Sequence, residues 1–333
     1  MARLLEVKAL KVSFETQAGR VRAVNGISYA VREGEVLGIV GESGSGKSVQ
    51  ALAIIRLVSA SSGRIDGGEI WFEGRDLLAL EEHEMRKVRG GRIAMVFQDP
   101  ISSLNPVYTI GFQIREVLRL HLGITGSEAQ KRAADLLGLV GIPDAVQRLR
   151  SFPHELSGGM RQRVMIAMAV GSHPKLVIAD EPTTALDVTI QAQIVELIKR
   201  LQREFRLTVI WISHDLGVVA GLAQRVNVMY AGYIVERGSI RDIYKAPHHP
   251  YTVGLLRSMP RLDGARNSKL SSIPGRPPDL AVPQPGCPFA PRCAYADERC
   301  RQEMPAGTCV EGEEHEVRCW NWPSVIAERW AHG

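Results

Sequence analysis

"GESGSGKS", residues 41–48, lies directly after the apolar run "EVLGIV" and directly before "VQALAIIRLV", a stretch predicted to be helical. It matches the pattern G-x-x-x-x-G-K-[ST] in the strand-to-helix setting that this pattern requires. Glycines let such a loop turn its backbone N–H groups onto phosphate oxygens, and the dipole of the following helix attracts the negative charge of those oxygens. The alternative, a flexible Gly/Ser turn, does not explain the strand and the helix on either side. The predicted phosphate-binding loop consists of Gly41, Glu42, Ser43, Gly44, Ser45, Gly46, Lys47 and Ser48.

Two carboxylates end a second apolar run, "LVIADEP" at residues 176–182. We expect Lys47 to bridge the β- and γ-phosphates and Ser48 to hold Mg²⁺, with Asp180 reaching the shell of the same metal. Glu181 is then placed to polarise the attacking water. A carboxylate pair at a strand end is also compatible with a helix cap, but the phosphate-binding loop supplies a ligand for this pair. The two motifs together predict transfer of a phosphoryl group to water.

The order of apolar patterns along the chain predicts an α/β fold with a mainly parallel sheet and a helical insert. Residues 4–40 predict short strands with turns at 18–19 and 33–34, and residues 100–155 are mostly helical in pattern. A strand, a helix and a strand then follow in "KLVIAD", "TIQAQIVELIKRLQREF" and "TVIWIS". Because composition shifts to Pro, Gly, Arg and Cys beyond residue 245, a boundary is expected there. The predicted domains are a nucleotide-binding domain over 1–245, with a helical subdomain at about 100–160, and an extension over 246–333.

Length and composition narrow the class of protein. A chain of 333 residues with 45% hydrophobic residues is long enough to bury a large core. The N-terminus has no secretory apolar region, and no stretch reaches the ~18 apolar residues of a membrane-spanning helix, which predicts a cytosolic protein. The net charge of +5 is compatible with nucleic acid or an anionic membrane surface. Since basic and acidic residues are interleaved, we expect a mixed solvated surface and no nucleic-acid partner.

A second glycine-containing motif, "LSGGMRQR" at residues 156–163, lies just upstream of the carboxylate strand. It resembles the signature motif of ATP-binding cassette (ABC) proteins. The resemblance implies that Ser157, Gly158 and Gly159 contact the γ-phosphate of ATP held by the partner in a head-to-tail dimer, with the helix dipole as a second anion cradle. An ordinary helix capped by Ser157 is the alternative. Met160 stands where most cassettes have Gln, a change that leaves the serine and glycine contacts in place.

The resemblance extends over roughly residues 1–245. It implies the P-loop NTPase fold of the ABC cassette, followed by a small Cys/Pro-rich C-terminal extension, and it implies further site residues. Gln98 in "VFQDP" resembles the glutamine that senses Mg²⁺ and water, and His214 in "ISHD" resembles the switch histidine that contacts the γ-phosphate. Asp187 in "TALD" resembles the aspartate that crosses the dimer, and Phe14 resembles the aromatic residue that stacks on adenine. Taken singly, each has an ordinary structural alternative: a surface Gln, a structural His, a helix-capping Asp or a core Phe. The implied Mg²⁺ ligands are Ser48, Gln98 and Asp180, and the implied catalytic residues are Glu181, His214 and Gln98.

Four stretches point to one branch of this family. "QDPISSLNP" (98–106), "HHPYT" (248–252), "IPGRPPDL" (273–280) and "GCPFAPRC" (286–293) resemble the ATPase subunits of oligopeptide/dipeptide importers, a group that includes nickel and glutathione importers. The resemblance implies a peripheral protein at the cytoplasmic face of the cell membrane. Its implied partners are two transmembrane permease subunits, an extracytoplasmic solute-binding protein and a second ABC ATPase subunit, a homologous heterodimer partner by family habit.

Several alternatives stay open at the level of sequence. The same role in a nickel or glutathione importer differs from peptide import only by analogy, because the ATPase subunit does not contact the substrate. A soluble, non-transport ABC ATPase is disfavoured because the chain has one phosphate-binding loop, one signature and a short helical insert. An exporter ATPase is disfavoured by the C-terminal resemblance.

All five cysteines follow residue 286. Their spacings lack the C-x-x-C pairs typical of structural zinc sites, and free thiols in a loosely folded tail are an alternative. Some importers of the resembled group hold a [4Fe–4S] cluster in this extension. That resemblance implies Cys287, Cys293 and Cys300 as the first three ligands, Cys319 in "VRCW" as the fourth, and Cys309 as the spare.

Overall fold

The computed structural model of the protein describes residues 2–17, 19–58, 62–184, 186–259, 272–311 and 314–331. Its strands are β1 (Arg3–Thr16), β2 (Gly19–Arg32), β3 (Val36–Val40), β4 (Gly63–Phe72), β5 (Arg75–Asp76), β6 (Ile93–Val96), β7 (Leu176–Asp180), β8 (Thr208–Ser213), β9 (Arg225–Tyr230), β10 (Tyr233–Ser239), β11 (Thr308–Glu311) and β12 (His315–Val317). Its helices are α1 (Lys47–Ile54), α2 (Glu82–Val88), α3 (Pro100–Ser103), α4 (Ile110–Leu122), α5 (Gly126–Leu139), α6 (Ala145–Arg148), α7 (Gly158–Gly171), α8 (Val188–Phe205), α9 (Leu216–Ala220), α10 (Ile240–Lys245), α11 (Pro250–Arg257), α12 (Glu298–Gln302) and α13 (Trp322–Ala331).

The chain forms two compact units. The first unit consists of Met1–Leu4, Val31–Glu35 and Asp76–Ile212. The second unit consists of Leu5–Ala30, Val36–Arg75 and Ser213–Gly333. In the described part of the chain, none of the helices is both long and apolar enough to cross a membrane.

The first unit contains a parallel sheet in the order β8-β7-β6. Leu176 of β7 lies opposite Ile93 of β6 on one side and Thr208 of β8 on the other. Every residue of β7 and β8 is buried, as expected for parallel strands covered on both faces. The strands predicted from "KLVIAD" and "TVIWIS" and the helix between them, α8, are therefore confirmed.

Helices α3 to α7 lie between β6 and β7 in the chain, as the predicted helical insert requires. The side chain of Thr109 accepts a hydrogen bond from the Phe112 N–H at the start of α4, and Gly123 ends this helix in a left-handed conformation. These two residues are the start and stop signals that helices commonly use. The last helix of the group, α7, extends to Gly171, beyond the predicted limit at about residue 160.

The second unit contains two groups of strands. A four-stranded sheet has the order β2-β1-β4-β5, with β1 and β4 antiparallel. The other strands follow the order β11-β12-β10-β9-β3, in which only β3 and β9 are parallel to each other. All five residues of β3 are buried, and the chain passes from β3 through residues 41–46 into α1. The strand-loop-helix setting predicted for "GESGSGKS" is confirmed.

Two predicted elements differ from the structure in length. The short strands expected before residue 33 are two strands of 14 residues each. The register of β1 against β4 shifts between Lys8 and Lys11, and Ala9 has a φ of 47°. Such a bulge changes which alternate positions are buried, so one long strand has the pattern of two short ones. The helix predicted over "VQALAIIRLV" ends at Ile54, because Arg56 adopts a left-handed φ of 52°. Ala18, in the predicted first turn, lies outside the described residues.

The C-terminal segment adds strands to the second unit. Val317 of β12 pairs with Glu236 of β10, and β11 pairs with β12 on the outer side. The chain on both sides of residue 245 thus belongs to one compact unit. The domain boundary proposed near this residue, and the division into 1–245 and 246–333, stay predictions.

Candidate functional site

The backbone of the phosphate-binding loop requires glycine at two positions. Gly41 has a φ of 154° and Gly46 a φ of 97°, both in the range that favours glycine. A Cβ atom at residue 41 would overlap the carbonyl oxygen of Met229, and one at residue 46 would overlap that of Ala23. These two glycines therefore let the loop lie directly against neighbouring backbone.

Lys47 is buried, and its Nζ donates hydrogen bonds to the carbonyl oxygens of Gly41, at 2.8 Å, and Glu42, at 3.0 Å. The ammonium group is thus held over the loop that it belongs to. The carbonyl oxygen of Ser45 accepts a hydrogen bond of 3.0 Å from the Gly232 N–H. The Ser45 hydroxyl is buried without a hydrogen-bond partner in the described part of the chain. The fixed ammonium of Lys47 and the buried hydroxyl of Ser45, which can still form hydrogen bonds, are suited to the oxygens of a bound phosphate.

Glu42 of this loop is bound by the C-terminal segment, which sequence reasoning missed. The Arg292 guanidinium makes two parallel hydrogen bonds to the Glu42 carboxylate, Nη1 to Oε2 at 2.7 Å and Nη2 to Oε1 at 3.0 Å. The Glu42 N–H donates to the hydroxyl of Tyr251 at 2.7 Å. Both partners lie in stretches singled out from the sequence, "GCPFAPRC" and "HHPYT".

Phe14 lies on β1, partly buried, opposite Gly63 of β4. A Cβ atom at residue 63 would be 2.7 Å from Cε1 of the Phe14 ring, so the ring rests against this glycine. The predicted stacking of Phe14 on adenine stays a prediction.

The carboxylates of the first unit lie at the end of β7. Asp180 is buried, and Glu181 follows in a left-handed conformation with a φ of 45°. Its N–H donates to the carbonyl oxygen of Ile212 on β8, at 3.0 Å. Glu181 Oε2 accepts hydrogen bonds from the Thr184 hydroxyl, at 2.9 Å, and from Gln98 Nε2, at 3.4 Å. The structure thus brings together Gln98 and Glu181, two of the three predicted catalytic residues.

His214, the third, directly follows β8 and is exposed. It is the second residue of the segment Ser213–Gly333 of the second unit. This segment also contains α9, where the Asp215 side chain accepts hydrogen bonds from the N–H groups of Gly217 and Val218. The predicted contact of His214 with the γ-phosphate stays a prediction.

The residues predicted to reach a partner's nucleotide lie at two neighbouring helix N-termini in the first unit. The Ser157 hydroxyl caps α7 by accepting a hydrogen bond of 3.3 Å from the Met160 N–H. Asp187 caps α8 by accepting one of 2.9 Å from the Ile190 N–H. A Cβ atom at Gly159 would be 2.8 Å from Cγ2 of Ile190, so the two N-termini touch.

Ser157, Gly158 and Asp187 are exposed. The helix cap considered as an alternative for Ser157 is therefore present. The exposed hydroxyl can still accept a further hydrogen bond and donate one of its own.

Four of the five cysteines line one small cavity in the second unit, and these are the predicted cluster ligands Cys287, Cys293, Cys300 and Cys319. The Cys287 N–H donates to the carbonyl oxygen of Cys300 at 2.8 Å, which joins two of the segments. Burial raises the pKa of the Cys287 thiol to about 11 and that of the Cys319 thiol to about 12. Cys309 lies exposed on β11.

A buried carboxylate with two histidines was not found from the sequence. Glu236 Oε1 lies 2.9 Å from Nε2 of His315 and 3.7 Å from Nδ1 of His248. The carboxylate also accepts the N–H groups of His248, at 2.7 Å, and His249, at 3.0 Å. Burial alone would raise the pKa of Glu236, but the hydrogen bonds from His248 and His315 outweigh it and lower the pKa to about 2. An acidic residue within the apolar run "YIVERG" was the available signal.

In the described residues, Glu236, His248 and His315 are the one group whose possible metal-ligand atoms all lie within 4.8 Å of one another. Two backbone N–H groups and an imidazole already bind the carboxylate. The carboxylate is therefore satisfied by hydrogen bonds that join β10, β12 and the start of α11. The Nδ1 atoms of His248 and His315 are buried without a hydrogen-bond partner among the described residues.

Comparison with known proteins agrees with this arrangement. Residues 24–184 match the family described as ABC transporter, and residues 235–300 match the oligopeptide/dipeptide transporter, C-terminal region. The oligopeptide transport ATP-binding protein OppD of Bacillus subtilis is 54% identical over 320 residues, which cover 96% of this chain and 89% of that protein. The dipeptide transport ATP-binding protein DppD of the same organism is 50% identical over 320 residues, covering 96% and 95%.

A dimeric ATP-binding cassette, MJ0796, solved in a post-hydrolysis state with ADP and Pi, superposes with a TM-score of 0.64 at 28% identity. The match covers 71% of this chain and 99% of that cassette. The predicted P-loop NTPase fold of the ABC cassette is confirmed. Since the similarity to the importer proteins covers nearly the whole chain, this protein belongs to the ABC transporter ATP-binding subunits of the oligopeptide/dipeptide importer family.

Proposed function

We propose that this chain is the ATP-hydrolysing subunit of an importer for dipeptides or oligopeptides that depends on a solute-binding protein. The observation that supports this most is the extent of the similarity. Relatives named for oligopeptide and dipeptide transport match 96% of the chain, including the C-terminal region specific to that group. Enzymes of this kind are ATPases coupled to transport.

The site residues divide the work of ATP hydrolysis as follows. The backbone of residues 41–48 and Lys47 bind the phosphates, and the oxygens of Ser48, Asp180 and Gln98 are suited to Mg²⁺, which prefers oxygen ligands. When bound there together with ATP, Mg²⁺ would supply positive charge to stabilise the phosphate oxygens during the reaction. Glu181 accepts the proton of the attacking water, and Gln98, at hydrogen-bond distance from it, helps to orient that water.

Hydrolysis requires a second cassette in this proposal. Ser157, Gly158, Gly159 and Asp187 of one subunit complete the nucleotide site of its partner, which is a second ABC ATPase subunit. The exposure of Ser157, Gly158 and Asp187 at two touching helix N-termini supports this role, because such termini attract anions. A homologous heterodimer partner is the family's usual arrangement.

Exposed apolar side chains near Gln98 support docking to permease subunits. Ile101 and Val107 are 67% and 71% exposed, and Tyr108 and Phe112 stack with their ring centroids 4.5 Å apart while both stay exposed. We name these four residues the apolar segment. Exposed apolar groups of this size are typical of protein interfaces. We assign the apolar segment to two transmembrane permeases, which would place the ATPase peripherally at the cytoplasmic face of the membrane.

Replacing Ile101 by Asp tests this assignment. We expect Ile101→Asp to reduce the amount of permease protein that co-purifies from detergent extracts at least about tenfold, since a charge would be buried without a partner. The matched control is Val146→Asp, because Val146 is equally exposed, at 68%, in the same unit. Co-purification is measured by mass spectrometry of the complex captured on the tagged ATPase.

Two permeases captured by the wild type and by Val146→Asp, but not by Ile101→Asp, would establish the importer and its docking segment together. Nucleic acid or ribosomal protein in place of permeases would overturn the importer proposal. Uptake of labelled peptides, nickel or glutathione by cells with and without this subunit then identifies the substrate.

We also propose a [4Fe–4S] cluster bound by Cys287, Cys293, Cys300 and Cys319. Their common cavity supports it, and so does the exposed position of the spare Cys309. A single tetrahedral zinc would bring four sulfurs within about 3.8 Å of one another, and these cysteines do not form so tight a group among the described residues. A bound cluster would cross-link a segment that has little apolar material of its own.

Anaerobically purified protein is expected to contain about four iron and four labile sulfide per chain. We expect Cys319→Ser to lose the iron, because it removes a ligand from the cavity, and Cys309→Ser to retain it as the matched control. Metal analysis and the visible absorption spectrum are the measurements. Stoichiometric zinc without iron would refute the cluster, whereas loss of iron in Cys309→Ser alone would refute the choice of fourth ligand.

A further inference from the structure

The contact between the C-terminal segment and the phosphate-binding loop is built as a specific link. The side chain of Arg292 is only 4% exposed and that of Glu42 only 28% exposed. Besides the two hydrogen bonds to Glu42, Arg292 donates to the carbonyl oxygens of Pro274, at 2.8 Å, and Ile273, at 3.3 Å, and to the Tyr230 hydroxyl, at 3.2 Å. These acceptors hold the guanidinium in one orientation. The two parallel hydrogen bonds from Arg292 to the Glu42 carboxylate require that fixed orientation.

Three separate stretches of the C-terminal region hold Glu42 in place, two of them directly and one through Arg292. "GCPFAPRC" supplies Arg292, and "IPGRPPDL" supplies the carbonyl oxygens that orient it. Gly275 of the second stretch leaves room for the arginine, since a Cβ atom there would be 3.3 Å from Cγ of Arg292. "HHPYT" supplies Tyr251, whose hydroxyl accepts the N–H of Glu42. Both the backbone and the side chain of Glu42 are thereby fixed from outside the loop.

We propose that Arg292 is a positioning residue for ATP binding: by holding Glu42, it fixes the phosphate-binding loop in the conformation that accepts the triphosphate. Glu42 directly follows Gly41, and Lys47 Nζ binds the carbonyl oxygens of both residues. A shift of the backbone at Glu42 therefore moves the acceptors that orient the Lys47 ammonium. Arg292 also directly precedes Cys293, so the link ties the cysteine-lined segment to the nucleotide site. This inference rests on the proposed ATPase function.

The test is a double-mutant cycle on the affinity for MgATP of the purified subunit. We expect Arg292→Gln to raise the Kd about tenfold, within the range found for directly coupled residues. Glu42→Gln should raise it in the same direction, and the double variant should bind no more weakly than Arg292→Gln alone, because either change breaks the same link. Arg292→Lys keeps the charge without the fork and is expected to recover part of the affinity.

Two further measurements distinguish a positioning role of Arg292 from a general loss of folded structure. The rate at saturating ATP in the assembled complex should stay within about twofold, since Arg292 does not act on the reacting atoms. Amide hydrogen exchange of the loop peptide without nucleotide should become faster in Arg292→Gln. The matched control is Arg299→Gln, an exposed arginine of α12 whose guanidinium lies over the Trp320 ring, 3.4 Å from its centroid.

Additive effects of the two changes would overturn the inference, as would an Arg292→Gln effect with none from Glu42→Gln. An unchanged Kd in Arg292→Gln would overturn it as well. If the wild type itself does not bind MgATP, the proposed function fails. If the wild type binds MgATP and Arg292→Gln binds it equally well, only the positioning role fails.

Discussion

Glu181→Gln is expected to reduce ATP hydrolysis by the assembled complex at least about a hundredfold, because an amide does not accept the proton of the attacking water. The affinity of the isolated subunit for MgATP should be unchanged. The amide oxygen still accepts the hydrogen bonds that the Thr184 hydroxyl and Gln98 now donate to the carboxylate, so the local geometry is kept. Phosphate release from proteoliposomes is the measurement, and size-exclusion chromatography with MgATP should show an accumulated dimer.

The matched control for this change is Thr184→Val, which removes one hydrogen bond of 2.9 Å to Glu181 and leaves the carboxylate. We expect a loss of about tenfold, smaller than that in Glu181→Gln, because one hydrogen bond to a charged carboxylate contributes about 1.5 kcal/mol. Undiminished turnover in Glu181→Gln would remove Glu181 from the role of base. A fall in MgATP affinity as large as the fall in rate would show that Glu181 supports binding and not the chemical step.

Glu236→Gln is expected to lower the free energy of unfolding at pH 7 by about 3 kcal/mol. The carboxylate is buried with two imidazoles and two backbone N–H groups around it, and its pKa is lowered from 4.5 to about 2. A difference of this size between the unfolded and folded states corresponds to about 3 kcal/mol in favour of the ionised form. Urea unfolding of both proteins measures it.

The pH dependence gives the sign of this effect. Because the folded pKa is below the unfolded one, the stabilisation is fully present above about pH 4.5 and is lost as the pH falls through about 2. The stability gap between the wild type and Glu236→Gln should therefore close over this window. The matched control is Glu316→Gln on neighbouring β12, whose carboxylate pairs with the partly exposed Arg237. Glu316→Gln should lower the free energy of unfolding by less than about 1 kcal/mol. Equal losses of unfolding free energy in the two variants would contradict the special role of Glu236.

The elements around the phosphate-binding loop could be predicted because their determinants are local. A buried strand, a glycine loop and a helix follow one another within residues 36–54, and the pattern of apolar residues is enough to place them. The same holds for β7, which ends in Asp180. The contact between Gln98 and Glu181 is not local. The strand-end motif predicted Glu181, whereas only the family resemblance pointed to Gln98, as the residue that senses Mg²⁺ and water.

The links within the second unit could not be predicted, because their partners are far apart in sequence. Arg292 and Glu42 are 250 residues apart, and Glu236 and His315 are 79 apart. Periodicity gives the face on which a side chain lies, but it does not give the distant strand or loop that will meet that face. "HHPYT" and "GCPFAPRC" were recognised as family motifs, while the contacts that explain them became visible only in the structure.

The order β11-β12-β10 has a consequence for the synthesis of the protein on the ribosome. The strand that pairs with the outer edge of β10 is β12, which also contributes His315, an imidazole partner of Glu236. His315 is synthesised 79 residues after Glu236. At roughly 10 residues per second, this delay is on the order of 8 s. Throughout that time the nascent chain presents an unpaired strand edge, the kind of surface that recruits other chains. Chaperone binding to the emerging second unit is therefore expected to be released only when the last strands have been translated.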